Sequence, residues 1–267
     1  FNILRTFVVS ESQPIPDIMK KIVLVLLLAF IAFPALTQAR KLQAFMSYAT
    51  FNSPSDGPYI ETYLSVIGKS VVFVKNQNGK FQGTIEVTLI FSQSDKVIQF
   101  KKINLLSPEV EDTAAVNFSF IDQQRFLLPN GEYTVDIQIK DLNDDAAPFK
   151  AAETIEINYP SDKVSVSGIE LIESYTKTEQ AGVLSKSGYD LIPFIYNYYP
   201  ESIDKMIFYA EVYNTDKVMG AEEKYLISTF VETYETAQLY GEMMKIRKES
   251  AKPVNVVFGE FDLSNLP

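Results

Sequence analysis

Apolar and polar residues alternate along most of the chain, and this period of two predicts β-strands. The clearest run is 132–140, in which Tyr133, Val135, Ile137 and Ile139 alternate with polar residues. Similar runs, each bounded by turn residues, lie at 60–66, 71–74, 84–91, 96–104, 117–122 and 152–157. About eight such strands within roughly 120 residues predict an antiparallel β-sandwich.

A polar break at residues 158–162 follows this first set of strands. Pro160 lies in the break and has no N–H to donate to a β-ladder. We therefore expect one domain at 40–160 and a second at 161–267. Further strands are predicted at 192–198, 206–213, 225–233, 242–248 and 254–263. Residues 232–244 also fit a helix, so both structures stay open there.

A faint internal repeat relates the two predicted domains. Residues 118–131 of the first resemble residues 258–267 of the second. In the first domain the repeat leads directly into the strong strand at 132–140, whereas in the second the sequence stops at Pro267. The predicted fold class is all-β, with two tandem immunoglobulin-like antiparallel β-sandwich domains, the second of them incomplete. We expect the sequence to be a fragment that continues past Pro267.

A targeting signal lies near the beginning of the sequence. Residues 19–21 read Met-Lys-Lys, and an unbroken apolar run follows at 22–33. Small side chains at Thr37 and Ala39 suit a signal peptidase, so the pattern predicts a signal peptide at 19–39 that is cleaved after Ala39. The apolar run is shorter than the roughly 20 residues that span a bilayer, which makes stable membrane insertion after cleavage unexpected. A buried helix and an uncleaved anchor are the alternatives.

Charge and composition narrow the function further. Residues 1–18 precede the first Met and are expected to be translated upstream sequence. The remainder from residue 40 carries 21 basic and 32 acidic side chains, which disfavours nucleic acid and anionic membrane surfaces as partners. The sequence has no His and no Cys. It therefore lacks a Ser-His-Asp triad, a thiolate nucleophile, a disulfide and any imidazole or thiolate metal ligand.

One segment partly matches a calcium-binding loop. Asp141, Asn143 and Asp145 supply oxygen atoms at the first, third and fifth positions of the loop. However, Ala146 and Ala152 stand where the loop requires Gly and Glu. A solvated hairpin tip is therefore expected, and no metal or cofactor is predicted.

Paired carboxylates are the one hydrolytic chemistry that the composition leaves open. Acidic clusters lie after Pro108 and near residue 222, and consist of Glu109, Glu111, Asp112, Glu222 and Glu223. Nothing in the sequence brings two of these carboxylates together across a cleft, and charged loops are usually solvated. We therefore expect that the protein is not an enzyme.

The densest group of aromatic residues is formed by Tyr196, Tyr198 and Tyr199, with Phe194 nearby. On a strand, Phe194, Tyr196 and Tyr198 would share one face, which favours a place in the core. If exposed, the rings could stack on sugars or anchor a partner protein. The three tyrosines are the only residues that we name as candidates for contact with a partner or a glycan.

Several stretches resemble the mature N-terminal region of exported Bacteroidetes proteins that end in a GWxTD domain. They are Ala-Phe-Met-Ser-Tyr-Ala-Thr-Phe-Asn-Ser-Pro at 44–54, Gly-Pro-Tyr-Ile-Glu-Thr-Tyr-Leu at 57–64, Phe-Ile-Asp-Gln-Gln-Arg-Phe at 120–126, Leu-Pro-Asn-Gly-Glu-Tyr at 128–133, Ala-Lys-Pro-Val-Asn at 251–255 and Gly-Glu-Phe-Asp at 259–262. The resemblance spans most of residues 40–267, and the GWxTD motif itself is absent. It implies export in a Gram-negative bacterium and a non-enzymatic region, and it assigns no catalytic residues.

Three functions are compatible with these patterns. The first is a non-catalytic scaffold or protein-interaction module, exported to the periplasm or cell surface of a Gram-negative bacterium. The alternative is a carbohydrate-binding accessory module of a glycan-processing system, for which Tyr196 and Tyr198 must be exposed. The third is a hydrolase with paired carboxylates, which requires two acidic side chains about 5–10 Å apart in a concave site.

Overall fold

The computed structural model describes residues 41–196 and 198–264, so the predicted signal peptide at 19–39 and residues 1–18 lie outside the described residues. The described part confirms the predicted all-β fold of antiparallel sandwiches. In chain order, the strands of the first sandwich are β1 (Ala44–Ser53), β2 (Gly57–Ile67), β3 (Val74–Lys75), β4 (Phe81–Gln82), β5 (Thr84–Gln93), β6 (Lys96–Leu106), β7 (Ser119–Leu127), β8 (Gly131–Asp141) and β9 (Phe149–Ile157). Two 3-10 turns lie at Gly68–Ser70 and Thr113–Ala115.

Two antiparallel sheets build the first sandwich. Sheet I has the order β1-β2-β7, and sheet II has the order β6-β5-β8-β9. This division of strands between two sheets is immunoglobulin-like. The short β3–β4 hairpin turns at residues 76–79, where Gly79 has φ 75°. Of the strand predicted at 71–74, only Val74 is in a strand.

Several of the strands that the sequence predicts correctly alternate apolar and polar residues and bury only one face. Along β5, the side chains of Ile85, Val87, Leu89 and Phe91 are buried, and the residues between them are partly exposed. These four side chains join apolar residues of sheet I, such as Phe126, in one core. Burying one face of each sheet against the other drives the two sheets together.

The second sandwich continues from residue 165. Its elements are β10 (Ser165–Val166), β11 (Glu170–Lys177), β12 (Ser185–Lys186), β13 (Tyr189–Pro193), β14 (Lys205–Tyr213), the helix α1 (Thr215–Met219), β15 (Lys224–Glu232), β16 (Leu239–Ser250) and β17 (Val254–Asp262). Sheet III follows the path β10-β14-β11-β13-β12, and β17 pairs with β14. Sheet IV is the β15–β16 hairpin, which rules out the helical alternative for 232–244. Tyr225, Ile227 and Val231 of sheet IV pack against Phe208 and Phe261 of sheet III.

The strand predicted at 192–198 is wrong, because β13 ends at Pro193. Proline has no backbone N–H for the ladder, and the chain after it follows an irregular path. The pattern also misses β1. Ala44 and Met46 of this strand pack on the core shared with sheet II, whereas Ala49 and Phe51 pack on sheet III. Packing on both faces removes the polar alternation that reveals a strand.

Sheet I is covered on both faces. Ile60 and Leu64 of β2 enter the core shared with sheet II, whereas Tyr59 and Tyr63 pack against Ile172 and other residues of sheet III. The sheets therefore stack in the order II, I, III, IV. The separation into domains at 40–160 and 161–267 stays a prediction, since sheet I contributes to the cores on both of its sides.

The backbone at Gly168 lies close to β1 of sheet I, and a substitution there can test this close approach. The Gly168 N–H donates to the Thr50 carbonyl at 2.8 Å, and an added Cβ would lie 2.8 Å from the Thr50 nitrogen. We expect Gly168→Ala to lower the free energy of unfolding by about 1–3 kcal/mol, because backbone atoms must move apart. The control is Gly182→Ala, since an added Cβ there meets nothing within 4 Å. Urea denaturation measures both, and equal losses would contradict the prediction.

Candidate functional site

Four strands bring charged side chains into the junction between sheets I and III. Glu61 comes from β2, Glu170 from β11, Lys186 from β12 and Glu211 from β14, and none of them is more than 6% exposed. Charged side chains are almost never fully buried unless they are paired. We call these four residues the buried charged cluster, and their partners define what it can do.

Lys186 lies at the centre of the cluster. Its Nζ is 2.6 Å from Glu61 Oε2 and 2.5 Å from Glu170 Oε2. The ammonium also lies 3.6 Å from the centre of the Phe51 ring, which is a favourable position for a cation over an aromatic face. The strand β12 that carries Lys186 is two residues long and is the last strand on its side of sheet III. The ion pair with Glu61 therefore links sheet III to sheet I.

The Glu61 carboxylate is fully satisfied as an anion. Its Oε1 accepts from Arg125 Nε at 2.6 Å, and Arg125 NH2 lies 2.5 Å from the same oxygen. Its Oε2 accepts from the Tyr63 hydroxyl at 2.6 Å and from Gln123 Nε2 at 3.3 Å, in addition to Lys186. Burial is the largest influence and acts to lower the pKa of Arg125, but the Glu61 charge, contributions from Tyr59 and Tyr63 and the hydrogen bond to Glu61 together raise it. Arg125 therefore stays cationic beside Glu61.

Glu170 is less well satisfied. Lys186 donates to Oε2, but Oε1 is buried without a hydrogen-bond partner. Burial raises the pKa of Glu170 above its usual range, although Lys186 acts to lower it. Burial without compensating donors disfavours the charged form of a carboxyl. Burial therefore favours the protonated form of Glu170.

Glu211 is held by hydroxyl groups. Its Oε1 accepts from the Ser187 hydroxyl at 2.6 Å and from the Tyr209 hydroxyl, and its Oε2 accepts from the Tyr213 hydroxyl at 2.5 Å. Tyr209 and Tyr213 lie two residues to either side of Glu211, so all three side chains share one face of β14. Burial, followed by the Glu211 charge, raises the pKa of both phenols well above the usual range.

A groove of about 430 Å³ opens onto one end of this junction. Its lining includes Asn52, Tyr59, Arg125, Lys186 and Glu211. The charged groups that it reaches are already bound to one another or to hydroxyl groups. The junction therefore fastens two sheets together and also places an amine against two carboxyl groups.

The three tyrosines named from the sequence lie elsewhere, on the irregular segment after β13. Tyr196 and Tyr198 are 40% and 61% exposed, whereas Tyr199 is half-buried and stacks on Phe194 at 4.3 Å between ring centres. Burial raises the pKa of Tyr199 to about 12. The expectation that Phe194, Tyr196 and Tyr198 share one strand face is wrong, because the strand ends before them.

An apolar groove borders β1, the strand that Tyr196 also contacts. Tyr196 meets Phe45 of β1 edge to face at 6.1 Å. Phe45 in turn lines a groove of about 560 Å³ between sheets I and II. Met46, Ile137 and Phe149 also line this groove, which β1 and β9 border as the terminal strands of their sheets. We call it the edge groove.

The acidic clusters noted in the sequence do not converge on either groove. Glu109 accepts from the side chains of Asn76 and Asn78, and Glu111 pairs with Lys80 at 3.2 Å. Asp112 caps the second 3-10 turn, where its side chain accepts from the Ala114 N–H. Glu222 and Glu223 are exposed. In residues 41–196 and 198–264, no group of three or more metal-ligating side chains is placed to hold a metal ion.

The expected solvated hairpin tip at 141–145 is wrong for Asp141. This side chain is buried, and it accepts from the Val72 N–H at 2.7 Å and from the Asn143 N–H at 2.9 Å. Asp141 therefore fixes the segment before β3 against β8. Within the part of the chain that the structure describes, no helix is long and apolar enough to cross a bilayer.

Sequence reasoning missed the buried charged cluster. One signal was present, because Glu61 and Glu211 interrupt strands that are otherwise mostly apolar and each lies two residues from a tyrosine. A carboxylate on the same strand face as a tyrosine has a hydroxyl donor within reach. The sequence carries no comparable signal for Glu170 or Lys186.

The fold and the junction together define the class of protein, an all-β chain whose antiparallel sandwiches are joined through buried charges. No protein-family model, no curated protein and no solved structure matches this chain.

Proposed function

We propose that the protein is a non-catalytic, protein-binding scaffold of a bacterial cell envelope. One observation carries the proposal: Tyr196 and Tyr198 are exposed, the Tyr196 ring meets Phe45 of β1, and β1 and β9 border the edge groove as the terminal strands of their sheets in the part of the chain that the structure describes. Tyrosine and phenylalanine are enriched where proteins bind partners, and a free strand edge can accept another strand.

The edge groove suits an extended segment of a partner protein. Phe149, Ala151, Glu153 and Ile155 of β9 all line it, so the groove follows alternate side chains of one strand. That spacing matches the apolar side chains of a strand laid alongside. The excess of acidic groups from residue 40 onward favours a partner that is basic around this apolar segment.

Two further features support this setting. The pattern at 19–39 and the resemblance to exported Bacteroidetes proteins both support delivery to the envelope. The charged side chains of the junction are occupied with one another, which supports a structural use of them over turnover of a substrate.

A carbohydrate-binding module is the second candidate, and the exposure of Tyr196 and Tyr198 favours it. Exposed aromatic faces can stack on sugar rings. The two functions differ in how they use the edge groove, since a glycan held by the tyrosines has no need of Phe149.

A double variant tests the proposal. Tyr196→Ala with Tyr198→Ala is expected to weaken a specific envelope partner at least tenfold, because truncating an aromatic anchor commonly costs about 2 kcal/mol or more of binding. The melting temperature should barely move, since both rings are exposed. Capture from solubilised envelope extract, followed by titration of the purified partner, measures the affinity.

Two matched variants make the outcome decisive. Tyr234→Ala removes a ring that is 99% exposed on sheet IV and is expected to leave binding intact. Phe149→Asp places a charge in the edge groove and is expected to abolish protein binding. The carbohydrate function would be favoured if the Phe149→Asp variant still binds polysaccharide and the double tyrosine variant does not. The scaffold function would be refuted if the unaltered protein captures no specific protein partner.

A further inference from the structure

Lys186 and its two carboxyl neighbours have the geometry of a reacting group. The Nζ lies 2.5 Å from a Glu170 oxygen and 2.6 Å from a Glu61 oxygen, and the three side chains are almost completely buried. With an oxygen at 2.5 Å, the Glu170 carboxyl carbon one bond further lies near the roughly 3–3.5 Å separation of reacting atoms. Phe51 and Tyr209 cover the amine with their rings, at 3.6 and 5.3 Å. A desolvated lysine amine is a better nucleophile than a hydrated one.

The two carboxyl groups differ in a way that divides their roles. Glu61 is held as an anion by Arg125, Tyr63 and Gln123, and a carboxylate with two equivalent charged oxygens is a poor target for an amine. Glu170 has one buried oxygen that has no hydrogen-bond partner among the described residues. Its neutral acid form is the better target, and Glu61 is placed to take up a proton.

We propose that Lys186 and Glu170 become joined by an intramolecular isopeptide bond, with Glu61 as the carboxylate that transfers the proton. Lys186 first passes one ammonium proton to Glu170, which gives a neutral amine and a neutral acid. The Nζ lone pair then attacks the Glu170 carboxyl carbon, a C–N bond forms, and the C–O bond to the protonated oxygen breaks. Glu61 takes a proton from the amine nitrogen and returns it to the departing oxygen, which leaves as water. An ammonium and a carboxylate become an amide and one water molecule, and nothing is oxidised or reduced.

Formation of the amide removes two buried charges from the site. A buried ammonium and a buried carboxylate with an unsatisfied oxygen are replaced by one neutral amide. The amide N–H still has Glu61 Oε2 as an acceptor, and Glu61 keeps its bonds to Arg125 and Tyr63. Burial also keeps water from hydrolysing the amide. The bond fixes the two-residue strand β12, at the margin of sheet III, to β11.

Mass spectrometry of the folded, unaltered full chain tests this proposal. The intact protein is expected to be lighter than its sequence mass by one water molecule. After unfolding and trypsin digestion, the peptide 164–177 should be attached to the peptide 178–205, because trypsin cannot cleave after a modified Lys186. The exposed pair Lys205–Glu260, with 2.8 Å between Nζ and Oε1, provides an internal control that should remain unlinked.

Two variants separate the roles. Lys186→Arg keeps a positive charge but has no nucleophilic amine, so it should retain its full mass. Glu61→Gln should slow formation of the linked peptide at least tenfold after refolding, since the proton acceptor is lost. If the folded, unaltered protein has its full sequence mass and releases the free peptide 178–186, the proposal is refuted, whether or not the variants fold. A link from Lys186 to Glu61 would refute the assigned roles.

Discussion

Replacing Glu61 by leucine is expected to lower the free energy of unfolding by about 3–5 kcal/mol. The variant keeps a side chain of similar bulk, but it removes the acceptor for Tyr63, Gln123, Arg125 and Lys186. Buried donors that lose their partner bear the full cost of leaving water, and a buried cation bears the largest cost. Urea denaturation followed by circular dichroism measures the loss.

Glu86→Leu is the matched control. Glu86 also lies on a central strand and pairs with Lys102 at 2.8 Å, but both side chains are partly exposed. Exposed pairs contribute about 0–1 kcal/mol, so this variant should lose little. If Glu61→Leu is no less stable than Glu86→Leu, the cluster does not hold sheets I and III together.

The second large effect is a steep loss of stability above about pH 10. Burial first, and then the charge of Glu61 or Glu211, raises the pKa of four phenols well above the usual value, those of Tyr59, Tyr63, Tyr209 and Tyr213. The unfolded chain loses these protons near pH 10, whereas the folded chain retains them. Stability is therefore fully present below about pH 10 and falls as the pH rises.

The expected size follows from the number of groups. Each retained phenol proton removes about 1.4 kcal/mol per pH unit, so the four together remove about 5 kcal/mol between pH 8 and pH 11. Urea denaturation at a series of pH values measures the slope. Tyr213→Phe should reduce the slope by about a quarter, whereas Tyr234→Phe, which alters an exposed ring, should leave it unchanged. A flat profile up to pH 11 would show that these phenols are not held neutral.

The sequence predicts the strands whose two faces differ. β5 and β8 each bury one face and expose much of the other, and the alternation shows this directly. β1 packs on both faces and its sequence pattern misses it, whereas β2 also packs on both faces but alternates enough to be predicted at 60–66. The alternation in that run places Glu61 among the polar positions, although the side chain is fully buried in the structure.

The site could be predicted only in part. Tyr196 and Tyr198 stand out as a local aromatic cluster, but their exposure depends on where β13 ends. The contact between Lys186 and Glu61 joins residues far apart in the chain, through the stacking of sheet III on sheet I. Alternation within a strand gives the side of the sheet on which a residue lies, but does not give the sheet that will cover it.

Sheet I is covered by sheet II on one face and by sheet III on the other, so each half of the chain covers apolar surface of the other half. A cut in the connection between β9 and β10 would leave Phe51 and Tyr63 facing water on one piece, and Leu191 and Tyr209 on the other. The first piece would keep Glu61 and the second its partner Lys186. Each piece would thus expose an apolar surface and a polar side chain that the other piece covers in the intact chain.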